Sequence, residues 1–186
     1  MRRVNTWRAK GNGGPKHDIK SYDYFIENNC VSCGYSFPDD TGREQINSLS
    51  DYKKMFNKLN NKVNWKRQGI HLLFDNVKKG DFIWTRRSGQ YYVAEVTDSP
   101  ENLFCFDATS FDCSAQLTNI EWHLVGTEDV VPGSVSVYNF RSAIGRIDSK
   151  ESVYEINDVE YTSTGLFSAL KSKALKNKDT TNVKLS

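Results

Sequence analysis

The hydrophobic and polar positions change period twice along the chain. Asn5 to Lys10 alternates around Trp7 and predicts a short strand, closed off by the glycine-rich run Gly11-Asn12-Gly13-Gly14-Pro15. Asp18 can cap a helix reaching Asn28, with Tyr22, Phe25 and Ile26 at i, i+3 and i+4. Cys30 to Tyr35 predicts a strand, and Pro38 to Gly42 a loop. Ser50 can cap a second helix whose apolar stripe, Tyr52, Met55, Phe56 and Leu59, has the clearest helical spacing in the chain. A third helix is predicted from Trp65 to Phe74, interrupted by Gly69. After Lys79-Gly80-Asp81 the period becomes that of strands: Phe82 to Thr85 and Tyr91 to Thr97 pair as a hairpin through Arg87-Ser88-Gly89-Gln90. Further strands are predicted at Leu103 to Phe106, Ile120 to Val125 and Val135 to Phe140. Ser163 or Thr164 begins a last helix with Leu166, Phe167, Leu170 and Ala174 on one face, before a polar, frayed tail from Lys176.

Helices gathered before a run of strands predict an α+β fold, a small, strongly bent antiparallel barrel with flanking helices. At 186 residues the chain reads as one module over residues 1–150, followed by a strand and helix extension with a polar tail over 151–186. No apolar run approaches the ~20 residues of a membrane span, so no membrane partner is expected. The first residues carry no apolar core of a secretory signal. Four cysteines with no pairing framework predict a reducing, cytoplasmic setting.

Charge sharpens this picture. The net charge is only +2, but residues 53–87 hold ten Lys and Arg against two acids, and residues 88–130 hold eight acids and no Lys or Arg. Residues 1–20 add six basic side chains against one acid. If these blocks fold onto different faces, one face can hold a polyanion and the other can dock a basic protein partner.

Five pieces in order carry a resemblance. They are Trp7-Arg8-Ala9 with the glycine-rich loop; Phe25-Ile26-Glu27; Cys33-Gly34-Tyr35; Val77 to Trp84 with Gly80-Asp81 leading into the hairpin and Tyr92-Val93-Ala94-Glu95-Val96-Thr97; and Ile120-Glu121-Trp122. Together they resemble the PUA-like modules, among them the EVE and YTH domains, and most of all the amino-terminal modules of Mrr-type restriction endonucleases. The resemblance covers roughly residues 4–145. It implies a barrel with a cleft that takes a flipped or unpaired, often modified, base between aromatic walls. On it, Tyr35 stands where the family has a pocket Trp, with Ser36 beside it, and Trp84, Thr85, Lys10 and Asn12 stand at the cleft rim. Arg86 and Arg87, together with Arg8, Lys66 and Arg67, suit phosphate, because guanidinium forks match its oxygens.

The expected function is therefore a non-catalytic reader of nucleic acid, DNA before RNA. The competing expectation is a protein-interaction or small-nucleotide-binding module of an antiviral defence system or of a phage inhibitor of one. The metal-binding nuclease pattern of restriction enzymes, an acid followed by Glu/Gln-x-Lys, is not found: Asp39 with Glu44-Gln45-Ile46 lacks the lysine. Cys30-x2-Cys33 has half the spacing of a zinc site, but on a strand its two thiols point to opposite faces, so neither metal nor cofactor is expected.

Overall fold

The structure, a computed structural model, describes residues 2–10, 21–33, 37–38, 42–59, 65, 69–110, 113–137, 143–147 and 150–182. The chain is α+β. Its central sheet has the order β8-β5-β4-β2-β9, formed by β2 (Thr6–Ala9), β4 (Phe82–Arg87), β5 (Gln90–Glu95), β8 (His123–Gly126) and β9 (Ile144–Arg146). A second sheet joins β1 (Arg2–Val4) to β11 (Val159–Thr162) and β10 (Val153–Ile156). A third joins β3 (Val31–Ser32), β7 (Ala115–Leu117) and β6 (Phe104–Phe106). The expected small antiparallel barrel is seen only in part. Among the described residues the ladders form three separate sheets, and the central one is mixed. In it β2 runs parallel to β4, pairing Trp7 with Ile83, and antiparallel to β9.

The β4–β5 hairpin forms as its sequence predicts. Ser88 and Gly89 both take positive φ (48° and 81°), the two-residue turn whose twist matches the strands it joins. Phe82-Ile83-Trp84-Thr85 is buried at every position, because the strand is covered on both faces. Trp7, Ile83, Ala94 and Val96 face one core with Tyr52 and Phe56 of α2 (Leu49–Leu59). Phe82, Trp84, Tyr91 and Val93 face a second, with Val4, Val131, Val135 and Ile147. Asp81 ties these layers together. Its carboxylate, fully buried, accepts from the Trp7 indole (2.9 Å) and from the backbone N–H of Asn5 and Lys78 (3.0 Å each). Burial pushes this carboxyl's pKa up, against the pull of those hydrogen bonds.

Several elements differ from expectation. The α2 cap is Ser48, two residues before Ser50: its hydroxyl accepts from the Asp51 N–H (3.1 Å) and donates to the Asp51 carboxylate (2.7 Å). Of the third helix the described residues show α3 (Gly69–His71), continued by a wide helical turn over Leu72–Asn76; residues 66–68 lie outside them. Between β5 and β6 lies a short α4 (Pro100–Leu103), capped by Ser99. The segment expected as a strand from Val135 begins instead with α5 (Gly133–Ser136), whose first turn closes from Val135 N–H to Pro132 O (2.8 Å). Residues 138–140 lie outside the described residues. The amino-terminal helix is seen as α1 (Ser21–Glu27).

The last helix, α6 (Ser163–Asn182), runs through the region expected to fray. It buries Thr164, Gly165, Ser168 and Ser172; of the expected apolar face Phe167 packs inward, while Leu170 is left 58% exposed and Ala174 is exposed too. Small side chains let the helix backbone approach the strands beneath it. A Cβ on Gly165 would lie 3.1 Å from the Thr162 hydroxyl and 3.2 Å from that of Thr6. The Ser168 hydroxyl answers its own burial by donating to Thr164 O (2.7 Å). The segment from 151 onward is bound closely to what precedes it: β11 pairs with β1, and Phe167 stacks on Trp84 with ring centroids 6.0 Å apart.

Candidate functional site

Of the residues expected to form a base pocket, the structure describes Trp84, Thr85 and Lys10. Trp84 has no exposed surface and is sealed by Phe167; its indole N–H meets no partner. Thr85 is equally buried and donates its hydroxyl to Ala9 O (3.2 Å). Both belong to a central strand with a layer on each side, which corrects their placement at a cleft rim. Tyr35, Ser36, Asn12, Lys66 and Arg67 lie outside the described residues. Lys10 is exposed, its N–H bonded to Ala143 O (2.6 Å).

Among the described phosphate candidates, Arg8 and Arg87 are turned inward. Arg8 is half-buried, donates to Val135 O at the end of α5 (2.6 Å) and lies over the Tyr91 ring (5.7 Å). Burial lowers its pKa, with the Tyr91 hydroxyl opposing the shift and the Arg86 charge adding to it. Arg87 is the last residue of β4, one short of the turn, and its guanidinium pairs with Asp23 (2.7 Å) and Glu27 (2.8 Å) of α1. Arg86 is exposed and lies over the Tyr91 ring (5.3 Å). The basic block is answered in the same way. Lys53 pairs with Asp75 within the basic block, and Lys79 comes within 4.0 Å of Asp98 of the acidic block, so the two blocks touch at that point.

The position with the shape of a binding site is elsewhere. A cavity of about 330 Å³ opens between β1, β11, the start of β4, the end of β5 and α6, within the usual size range of small-ligand pockets. Its deepest residues, Val4, Phe82 and Ser172, are buried; Val159, Tyr161 and Ala169 are half-buried around them. Arg2, Lys173 and Lys176 stand exposed at its edge. The parallel register sets this up: Arg2 pairs with Val159 and Val4 with Tyr161, so alternate residues of both strands share one face. Lys173 and Lys176 are one turn apart on α6. Gly80, at φ +79°, lets the Arg2 guanidinium lie against the chain; a Cβ there would sit 2.4 Å from Arg2 Nη2. Glu95 stands opposite Phe82 in the β4–β5 ladder and lines the same cavity. No hydrogen bond or ion pair engages its carboxylate among the described residues. The Ser172 hydroxyl is buried with no hydrogen-bond partner. Sequence reading missed this site because its walls come from residues 2–4, 80–95 and 159–176; the one local signal was the Gly80-Asp81 turn.

A second polar cluster centres on Asp75, in the wide turn after α3. Its carboxylate accepts from Lys53 (2.5 Å) and the Trp65 indole (2.6 Å) and bonds His71 Nδ1 (2.7 Å). Burial pushes its pKa up, but hydrogen bonds from Lys53, Trp65 and His71 overcome this and hold it at about 2. The thiol nearest this turn, Cys33, donates to Gly69 O (3.8 Å), and burial raises its pKa far above the range of a reactive thiolate. The cluster thus braces α2 against the turn. Burial likewise lifts Cys30 to about 12. Among the described residues no group of three or more His, Cys, Asp or Glu is placed to hold a metal, and no helix is long and apolar enough to cross a membrane. No protein-family model matches the chain, and neither a curated protein nor a solved structure shows significant similarity to it.

Proposed function

We propose that this chain is a nucleotide-binding module that admits one base to the cavity between β1, β11 and α6 and holds the attached phosphate on Arg2, Lys173 and Lys176. The observation that carries the reading is the layout of that cavity: an apolar floor of Val4 and Phe82, an aromatic wall at Tyr161, and three cations at the mouth. A ligand suited to it has a flat, largely apolar body and an anionic group at one end, which is the chemistry of a nucleotide. The volume admits a single such unit. The base-reading role implied by the resemblance to PUA-like modules is thereby kept as part of the proposal, but its seat moves away from Trp84.

The test is calorimetric titration with the common nucleoside monophosphates, their nucleosides, inorganic phosphate and short single-stranded DNA and RNA, at two salt concentrations. Monophosphates should bind at least tenfold more tightly than nucleosides. The double substitution Arg2→Ala with Lys173→Ala should remove most of that advantage, since each charge-assisted contact contributes about 1.5–3 kcal/mol. Tighter binding and a steeper salt slope for oligonucleotides would identify the nucleotide as part of a strand; equal binding would identify a free nucleotide. Absence of binding to every ligand overturns the proposal.

A further inference from the structure

Resting on that reading of the cavity, we infer that Glu95 and Ser172 select a base bearing an exocyclic amino group, adenine or cytosine over hypoxanthine or uracil. Glu95 shares its cavity with Arg2, Lys173 and Lys176, yet none of them lies within 4.0 Å of its carboxylate. Because it pairs with Phe82 across the ladder, its side chain leaves the sheet on the face where Phe82 forms the cavity floor. Ser172, 5% exposed, brings a hydroxyl from the helix side, with no partner of its own.

The chemistry of these two groups orients the ligand. A carboxylate only accepts hydrogen bonds, so the ligand atom facing it must donate. It also repels phosphate, which belongs with the cations at the mouth; the base edge then meets Glu95. An amino group satisfies the carboxylate, and the hydroxyl can donate to the ring nitrogen beside that amino group. A keto oxygen in the amino position would set two acceptors face to face and leave the carboxylate unanswered. Sites built to hydrogen-bond one group discriminate strongly against an analogue lacking it. Glutamate and aspartate likewise accept from the cytosine amino group in direct base recognition.

AMP against IMP and CMP against UMP are near-isosteric pairs that differ in this group, and they provide the measurement. The wild-type protein should favour AMP and CMP by tenfold or more. Glu95→Gln, whose amide can present either a donor or an acceptor, should bring each pair within about threefold while keeping the advantage of monophosphate over nucleoside. Ser172→Ala should weaken AMP and CMP binding. Among the described residues Glu95 makes no hydrogen bond, so Glu95→Gln should melt with the wild type. Equal wild-type affinity for AMP and IMP, with binding still dependent on Arg2, overturns the inference and leaves the nucleotide-binding reading standing. A preference that survives Glu95→Gln overturns the role of Glu95. Failure of all nucleotides to bind overturns both.

Discussion

Replacing Asp75 by Asn tests the electrostatics of the fold with few confounding changes. The side chain keeps its shape and loses its charge, in the grip of Lys53, Trp65 and His71. An ordinary aspartate titrates at 3.8, and this one at about 2; the gap corresponds to about 2 kcal/mol of stability at neutral pH. The folded-state value is depressed, so the contribution is complete above pH 3.8 and is lost as pH falls toward 2. Urea unfolding of both proteins at intervals from pH 7 to pH 2 isolates this residue, because every other titrating group is common to both. Asp75→Asn should be less stable by about 2 kcal/mol at pH 7, a lowering of melting temperature by about 4–8 °C for a chain of this size. The two stability curves should converge as pH approaches 2. A difference that stays constant with pH, or no difference at pH 7, would refute the assignment of Asp75 as an ionised brace.

Two other substitutions follow from the geometry. Trp84→Ala should cost about 3–5 kcal/mol in denaturant unfolding, because the ring fills the second core against Phe167; a loss under 1 kcal/mol would show the ring to be less enclosed than described. Gly80→Ala should cost about 1–2 kcal/mol through its positive φ and, by displacing Arg2, should weaken nucleotide binding as well; unchanged stability and affinity would contradict the contact between Arg2 and Gly80.

The parts of the fold legible in the sequence are those written locally. The β4–β5 hairpin carries its own turn residues, Ser88-Gly89, and α2 its own apolar stripe, although its cap, Ser48, lies two residues before the Ser50 expected. What escaped depends on partners distant in the chain. Trp84 reads equally well as a rim or a core residue until Phe167, 83 positions later, is known to cover it. The buried face of α6 is largely polar and small, so hydrophobic periodicity caught Phe167 but misplaced Leu170; close approach to Thr6 and Thr162 decides the matter. The parallel pairings of β1 and β2 leave no trace in either strand. Arg8 and Arg87 have the residue type expected of phosphate contacts, but burial and the acids of α1 turn them inward. The cavity is legible only in three dimensions.

The pairing of Arg2–Val4 with Val159–Tyr161 also bears on how the chain is made. During synthesis the first strand emerges from the ribosome more than 150 residues ahead of the one it must join, and closing so long a loop is slow relative to local hairpins. The cavity, whose wall is that junction, is therefore among the last features to exist. A nascent protein can hold its central hairpin and α2 while that cavity is still unborn, and under the proposed nucleotide-binding role a ribosome-stalled fragment ending before residue 159 should be unable to retain a nucleotide.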